Sequence, residues 1–427
     1  MNMFEDESLS FLNSLELYPS ILKQYTRYQV QKKLGEGSYG EVWLAYDAQN
    51  QIDVAIKIYK NPKDSVKIAS SILSEISIMR QLSQSKNPNM IRLYDILTGL
   101  DDKGKHQIAA VMEYIPNTLD ELMRDPSNFV KNPGLIESIM RELLTGLSFL
   151  HQCGIIHRDL KPTNILFKQD CEGRIVLKII DFSISKVKTD EGLEFLNNLF
   201  YNQVYKSPFQ GDYTKEVTTR PYRAPEVAMM ARHDFQVDIW AAGCILAEML
   251  ISTIAMKRQL LFPARQCQPL SPNMLNPQLS KEQSLQQVED LLVLQIKFRE
   301  PLSMNEFNFL DSNRQKDYVR IISQIRTNYK INYTLSYFQQ FGSQAFDLLN
   351  GMLAFNPSNR FDALKSLKHP YLTESDDDIE SILHLALADG INQVIISDYH
   401  QILKSIQSIE GINKMIVKQQ SLLNKVI

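Results

Sequence analysis

His157-Arg158-Asp159-Leu160-Lys161-Pro162-Thr163-Asn164 sets an acid, a base and an amide within eight positions. An apolar stripe at helical spacing, Leu135, Ile139, Leu143, Leu147 and Leu150, leads into it, and the apolar run Ile165-Leu166-Phe167 follows. The segment therefore reads as a polar loop held between two buried elements. A carboxylate there can accept a hydroxyl proton, a lysine can neutralise a phosphate, and an amide oxygen can hold Mg²⁺. Such a loop is also compatible with a plain surface turn, so its meaning depends on what stands before and after it.

Upstream, short alternating runs at Tyr28–Leu34, Glu41–Tyr46 and Val54–Tyr59 predict β-strands. Gly35-Glu36-Gly37-Ser38-Tyr39-Gly40-Glu41-Val42 lies between the first two and fits G-x-G-x-x-G-x-V. Glycines at these positions let backbone N–H groups approach a phosphate that a Cβ would keep away. A glycine hairpin explains the same residues equally well. Val54-Ala55-Ile56-Lys57 adds a lysine in an apolar run, which needs an anion. Val66–Leu82 carries Ile68, Ile72, Ile76 and Met79 at helical spacing, which predicts a helix with a buried face. Glu75 stands beside that face, where it reads either as an exposed helical carboxylate or as a partner for Lys57.

Met90–Leu97 and Ile108–Tyr114 predict two more strands around the Asp101-Asp102-Lys103-Gly104-Lys105 turn, and Ile115-Pro116-Asn117 predicts a linker free of helix and strand. Downstream of the loop, Arg174–Ile180 predicts a strand ending in Asp181-Phe182-Ser183. Its spacing from Asn164 suits a β-hairpin that returns Asp181 beside the loop. Residues 184–223 have little apolar periodicity and end at Ala224-Pro225-Glu226.

Taken in order, these motifs resemble eukaryotic protein kinases over about residues 28–372. The resemblance implies an α+β, bilobal fold, with a small β-rich N-lobe over 28–114, a larger helical C-lobe over 119–372, and an insert at about 257–344. It implies nucleotide contacts from Leu34, Gly35, Glu36, Gly37, Ser38, Gly40, Val42, Ala55, Lys57, Met112, Glu113, Ile115, Leu166 and Asp181. Backbone groups of Glu113 and Ile115 would take adenine, and Met112 would gate the pocket behind it. It implies catalytic roles for Asp159, Lys161, Asn164, Lys57 and Glu75, with Mg²⁺ held by Asn164 and Asp181 and ATP as phosphate donor.

The run from Thr214 to Glu226 resembles the group containing MAP kinases and cyclin-dependent kinases. So do Asp238–Leu250 and Ala345–Arg360, and Arg360 is expected to pair with Glu226. Lys161 and Thr219 follow the serine/threonine pattern, and Arg223 is the arginine associated with a preference for proline after the target residue. Thr214 occupies the position of an activating phosphothreonine, with Arg158 and Lys186 as its basic partners and an upstream kinase as its modifier. Three residues depart from the pattern: Ser183 for the D-F-G glycine, Pro221 for tryptophan, and Ser74 for a third basic residue. Ser183 restricts φ where the glycine does not, so a change in how this turn flips between active and inactive forms is expected. The resemblance thus implies a MAP kinase-like serine/threonine kinase acting on protein substrates; the alternative is a nucleotide-binding scaffold without transfer. A small-molecule kinase is disfavoured by the complete segment ending at Glu226.

Composition sets the outer bounds. With 427 residues, 44% hydrophobic and 22% charged, the chain is long enough for one large or two modest cores. Lys plus Arg is 46 against Asp plus Glu 49, so no basic excess suggests nucleic acid. Ile239 to Met256 imitates a membrane span, but Asp238 and Glu248 mark it as a core helix and no membrane association is expected. Cys153, Cys171, Cys244 and Cys267 lack metal spacing and suit reduced thiols in the cytoplasm or nucleus. Glu5, Asp6 and Glu7 stand where an export signal carries basic residues, and residues 1–27 read as an amphipathic extension. Asp376-Asp377-Asp378 opens an apolar tail, 373–427, expected to form helices packed on the rest; the acidic run is a candidate for basic docking peptides.

Overall fold

The computed structural model describes residues 18–37, 40–60, 66–85, 87–132, 134–171, 173–188, 219–229, 231–264, 267, 290–300, 302–313, 315–316, 331–372 and 409–423. The chain forms two compact units, one of residues 1–86, 90–115 and 393–427, the other of residues 87–89 and 116–392.

The first unit opens with a short helix, α1 (Ser20–Lys23), and continues into β1 (Tyr28–Gly37), β2 (Gly40–Asp47) and β3 (Ile52–Tyr59). Helix α2 (Val66–Gln84) precedes β4 (Leu93–Leu100) and β5 (His106–Glu113). The five strands pair in the order β1-β2-β3-β5-β4, antiparallel throughout. Inward residues Trp43, Ala45, Val54, Ile56, Ile58, Ala109 and Val111 alternate along the strands and bury one face, against which Ile21 and Leu22 of α1 pack. Strand β4 starts three residues later than the sequence suggests and runs on to Leu100. The hairpin turn extends it: the Asp101 carboxylate accepts from the Lys103 and Lys105 amides at 2.9 and 2.7 Å, closing the loop tightly enough to keep Gly99 and Leu100 in register.

In the second unit, β6 (Asn117–Thr118) pairs with β8 (Ile165–Gln169), so Asn117 belongs to a strand although Pro116 does not. Thr118 then caps α3 (Leu119–Arg124) in a reciprocal capping box with Glu121. Helix α4 (Ser127–Lys131) leads to α5 (Leu135–Gln152), whose stripe from Ile139 to Leu150 is wholly buried. Strands β7 (Ile155–Ile156), β8, β9 (Ile175–Ile179) and β10 (Lys186–Val187) frame the polar loop, with β8 against β9 and β7 against β10. Helix α6 (Pro225–Ala228) follows, and then α7 (Gln236–Ala255), in which every residue from Val237 to Ser252 is buried. That helix is long and apolar enough to cross a membrane by composition, yet it forms the centre of this unit.

Within 257–344, α8 (Leu291–Arg299) is a core element. Its Leu292, Val293 and Ile296 pack with Met229, Ala231, Phe307 and Phe355. The unit is completed by α9 (Ser343–Met352) and α10 (Ala363–Leu367). The tail supplies α11 (Ile409–Leu423), which belongs to the first unit and packs on α2 and β4.

Candidate active site

In the first unit, β1 and β2 form the glycine hairpin. Gly35, Glu36 and Gly37 pair with Val42, Glu41 and Gly40, and Leu34 is the bulged, exposed residue between the paired positions Lys33 and Gly35. Ser38 lies outside the described residues. Lys33 binds Glu36 of its own strand at 2.7 Å and Glu41 of β2 at 2.9 Å. Gly40 has a reason to be glycine beyond any ligand: its φ is +151°, and a Cβ would meet the Ile58 carbonyl oxygen of β3 at 2.0 Å. Nothing stands within 4 Å of a Cβ at Gly35 or Gly37. Gly40→Ala is therefore expected to cost about 1–3 kcal/mol from backbone conformation alone. Gly35→Ala should melt close to wild type, and a thermal denaturation series on the two variants checks the contrast.

Lys57 pairs with Val42 and Ala110 across the sheet and sends its Nζ to Glu75 Oε1 at 2.6 Å. Glu75 is 1% exposed, so the carboxylate that sequence leaves between two readings is a buried partner of the lysine. Ala55 and Met112 are register partners on β3 and β5. The Glu113 amide donates to the Arg92 carbonyl at 2.9 Å, which removes that amide from any role toward adenine. Ile115 is buried.

In the second unit the polar loop is built around Asp159. Its Oδ2 accepts from Lys161 Nζ at 2.7 Å, and its Oδ1 accepts from both the amide and the hydroxyl of Thr219 at 2.8 Å. Lys161 Nζ also donates to Thr219 Oγ1 at 2.8 Å, closing a three-residue ring. Asn164 Nδ2 donates to the Asp159 carbonyl at 2.9 Å, which fixes the amide orientation and leaves Oδ1 as the atom that can meet a cation. The β8–β9 hairpin returns Asp181 to this loop, because the Ile180 amide donates to the Asn164 carbonyl at 3.0 Å. An amide oxygen and a carboxylate are the hard donors that Mg²⁺ takes, so Asn164 and Asp181 fit that ion. Leu166 sits on β8, half-buried.

Two residues here adopt positive φ, Arg158 at +70° and Asp181 at +68°. Backbone in that region is costly for a non-glycine residue and persists where its surroundings over-determine it. Asp238 supplies the constraint at Arg158. This buried carboxylate accepts from the His157 and Arg158 amides at 2.8 Å and lies 3.0 Å from His151 Nε2. Burial acts to raise its pKa, but the hydrogen bonds and charge of His151 and the Arg158 amide hold it below the ordinary value. His157 Nε2 meets the Ile180 carbonyl at 2.9 Å and its ring lies edge-on to Phe182 at 5.4 Å, which orders the turn at Asp181. Ser183 is buried and does not take a positive φ; the left-handed residue of this turn is Asp181. A serine therefore needs no left-handed backbone in this conformation.

The regulatory candidates are partly visible. Thr214 and Asp376–Asp378 lie outside the described residues. Lys186 pairs with Ile156 in β10–β7, and burial together with the Arg158 charge pushes its pKa down to about 7. Ser74 is buried on α2. Pro221 sits in the first positions of a 3-10 turn, Arg220–Tyr222, which its fixed φ suits. Arg223 is buried, its carbonyl accepts from Gln295 of α8 at 2.7 Å, and its guanidinium lies by Cys267. Asp238 and Gln295 are site residues that no motif reading assigned to it, while Thr219, expected from the serine/threonine pattern, lies on Asp159. An acidic residue opening an apolar helix was the one available signal for Asp238.

Tyr222 OH donates to Glu248 Oε2 at 3.0 Å inside α7. Burial raises the Glu248 carboxyl to about 8. Its contribution to stability is full below the ordinary value of 4.5 and is lost as pH rises through about 8. Glu248→Gln keeps an acceptor for Tyr222 and cannot ionise. The variant is expected to lose less melting temperature between pH 5 and pH 9 than the wild type, measured by scanning calorimetry.

The protein kinase domain model matches residues 28–372. A mitogen-activated protein kinase mpkC from Aspergillus terreus is 31% identical over 371 residues, covering 86% of this chain and 82% of the relative. Mitogen-activated protein kinase 4 of Oryza sativa is 27% identical, covering 84% of this chain and 81% of its own length. Cyclin-dependent kinase B2-2 of Arabidopsis thaliana is 28% identical, covering 81% and 93%. With its ordered motifs and a family match over most of its length, the chain belongs to the protein kinase family.

Proposed function

We propose that this chain transfers the γ-phosphate of ATP to serine and threonine hydroxyls of proteins in a MAP kinase-like signalling role. The observation that carries this reading is the Asp159 carboxylate held between Lys161 and Thr219. Asp159 orients the incoming hydroxyl and takes its proton. Lys161, already beside that carboxylate, meets the negative charge of the transferring group. Lys57, fixed by Glu75, binds the α- and β-phosphates under the glycine hairpin. When bound, Mg²⁺ would neutralise phosphate charge, with Asn164 and Asp181 as its protein ligands. Arg223 would favour proline after the target residue, and phosphate on Thr214, added by an upstream kinase, would be met by Arg158 and Lys186.

The test is transfer of labelled γ-phosphate to a generic basic protein, followed by phosphoamino-acid analysis. Label on serine or threonine above the level of an Asp159→Asn control is the expected result. Equal background from both proteins, with ATP and Mg²⁺ still raising the melting temperature, would establish the nucleotide-binding scaffold instead.

A further inference from the structure

Helix α2 is buried on every side from Ile72 to Leu82, its polar residues included. Ser74, Glu75, Ser77, Arg80 and Gln81 are all buried, although residues of these types ordinarily turn to solvent on a helix that borders a sheet. The side of the helix turned away from the sheet therefore needs a cover, and α11 from the far end of the chain packs against α2 and against β4. At this contact Arg80 Nε donates to Gln419 Oε1 at 2.6 Å, between side chains 3% and 0% exposed. Gln420 Nε2 donates to the Ile96 carbonyl of β4 at 2.8 Å, and Met415 and Leu423 are buried alongside.

A buried guanidinium requires acceptors, and a fully buried carboxamide is ordered by its partner, so the Arg80–Gln419 bond fixes the rotation of α2 about its axis. Glu75 lies five positions before Arg80 on the same helix, about 7.5 Å along the axis. A rotation or shift that breaks one contact therefore displaces the other, because the helix between them moves as a rigid piece. We propose that α11 holds α2 in place, with Gln419 and Arg80 as positioning residues for the Lys57–Glu75 pair. The inference rests on the transfer reaction above, in which that pair fixes the ATP phosphates.

The test is a double-mutant cycle in the full chain, with kcat and KM for ATP measured on wild type, Gln419→Met, Glu75→Ala and the combination. Gln419→Met keeps the packing and removes the acceptor. It is expected to lower kcat/KM for ATP about ten- to a hundredfold, the scale on which a misplaced catalytic group loses rate. In the Glu75→Ala background the same change should alter the rate less than about twofold, because the group it positions is gone. Gln419→Glu, which keeps an oxygen for Arg80, should restore wild-type kinetics. Equal factors in both backgrounds, or no loss from Gln419→Met, would overturn the proposal. Should Gln419→Met melt below the assay temperature, Gln420→Ala is carried through the same cycle with the same pattern expected. A wild type without transfer counts against the reaction rather than the positioning, which is then decided by the same cycle read in ATP affinity by calorimetry.

Discussion

Asp159→Asn is expected to lower phosphoryl transfer about a thousandfold, within the range that a positioned general base contributes. The reason lies in the donors around the carboxylate. Lys161 Nζ points at Oδ2, while the amide and hydroxyl of Thr219 point at Oδ1. An asparagine offers one oxygen and one NH₂ group. In one orientation the NH₂ faces the Lys161 ammonium, and in the other it faces the Thr219 amide, so two donors oppose each other either way. The ring of three residues opens, and no group remains that can take a hydroxyl proton. The fold should survive, since the main-chain carbonyl of residue 159 still accepts from Asn164 and the loop is still held by Asp238. The expected pattern is lost turnover with an unchanged melting shift on adding ATP and Mg²⁺. Retention of more than about a tenth of the wild-type rate would remove Asp159 from the role of base.

The parts of this site that sequence makes legible are those set by short-range regularities. Period-two strands and a period-3.6 helix put Lys57 and Glu75 on neighbouring elements, and their ion pair spans only 18 positions. The β8–β9 hairpin that returns Asp181 to Asn164 is likewise local. What sequence leaves dark is the support. Asp238 reaches 81 and 80 positions back to the His157 and Arg158 amides, and nothing in an acid at the head of an apolar helix says which amides it will hold. Gly40 reads as a phosphate-facing glycine, yet the close neighbour is the backbone of β3, a strand crossing that composition cannot show. Nor does the sequence say which residue of the Asp181-Phe182-Ser183 turn bears the positive φ; the His157 contacts at Ile180 and Phe182 order the turn in which Asp181 takes it. The bond between Arg80 and Gln419 spans 339 positions and joins two polar residues, so no apolar pattern announces it. Hydrophobic periodicity locates elements; buried polar pairs between distant elements carry no such signal.

Arg360→Met is the substitution with the largest expected effect on stability. Arg360 donates to Glu226 through two nitrogens, at 2.7 and 3.0 Å, and both side chains are 0% exposed. The same guanidinium satisfies the Ala354 carbonyl at 3.0 Å and the Gln236 carbonyl at 2.7 Å, and it lies 5.0 Å from the centre of the Trp240 ring. Removing it strands a buried carboxylate and withdraws a donor from the Ala354 and Gln236 carbonyls. Breaking a buried pair from one side costs about 3–5 kcal/mol, a large share of the roughly 5–15 kcal/mol that holds a domain folded. Adding Glu226→Leu removes the stranded charge but does not replace the donor to the Ala354 and Gln236 carbonyls, so the double variant should recover part of the loss and no more. The two changes are then non-additive, and urea denaturation of the four proteins in the cycle measures by how much. A single variant within about 0.5 kcal/mol of wild type would show that the pair is not holding this unit together. The consequence for function follows from position. Glu226 lies in the first turn of α6, four positions after the 3-10 turn at Arg220–Tyr222 ends, and Thr219 precedes that turn with its hydroxyl on Asp159. Loosening Glu226 loosens the segment that orients the base, so Arg360→Met assayed below its melting temperature should lose kcat, with KM for ATP retained because Lys57 and Glu75 belong to the other unit.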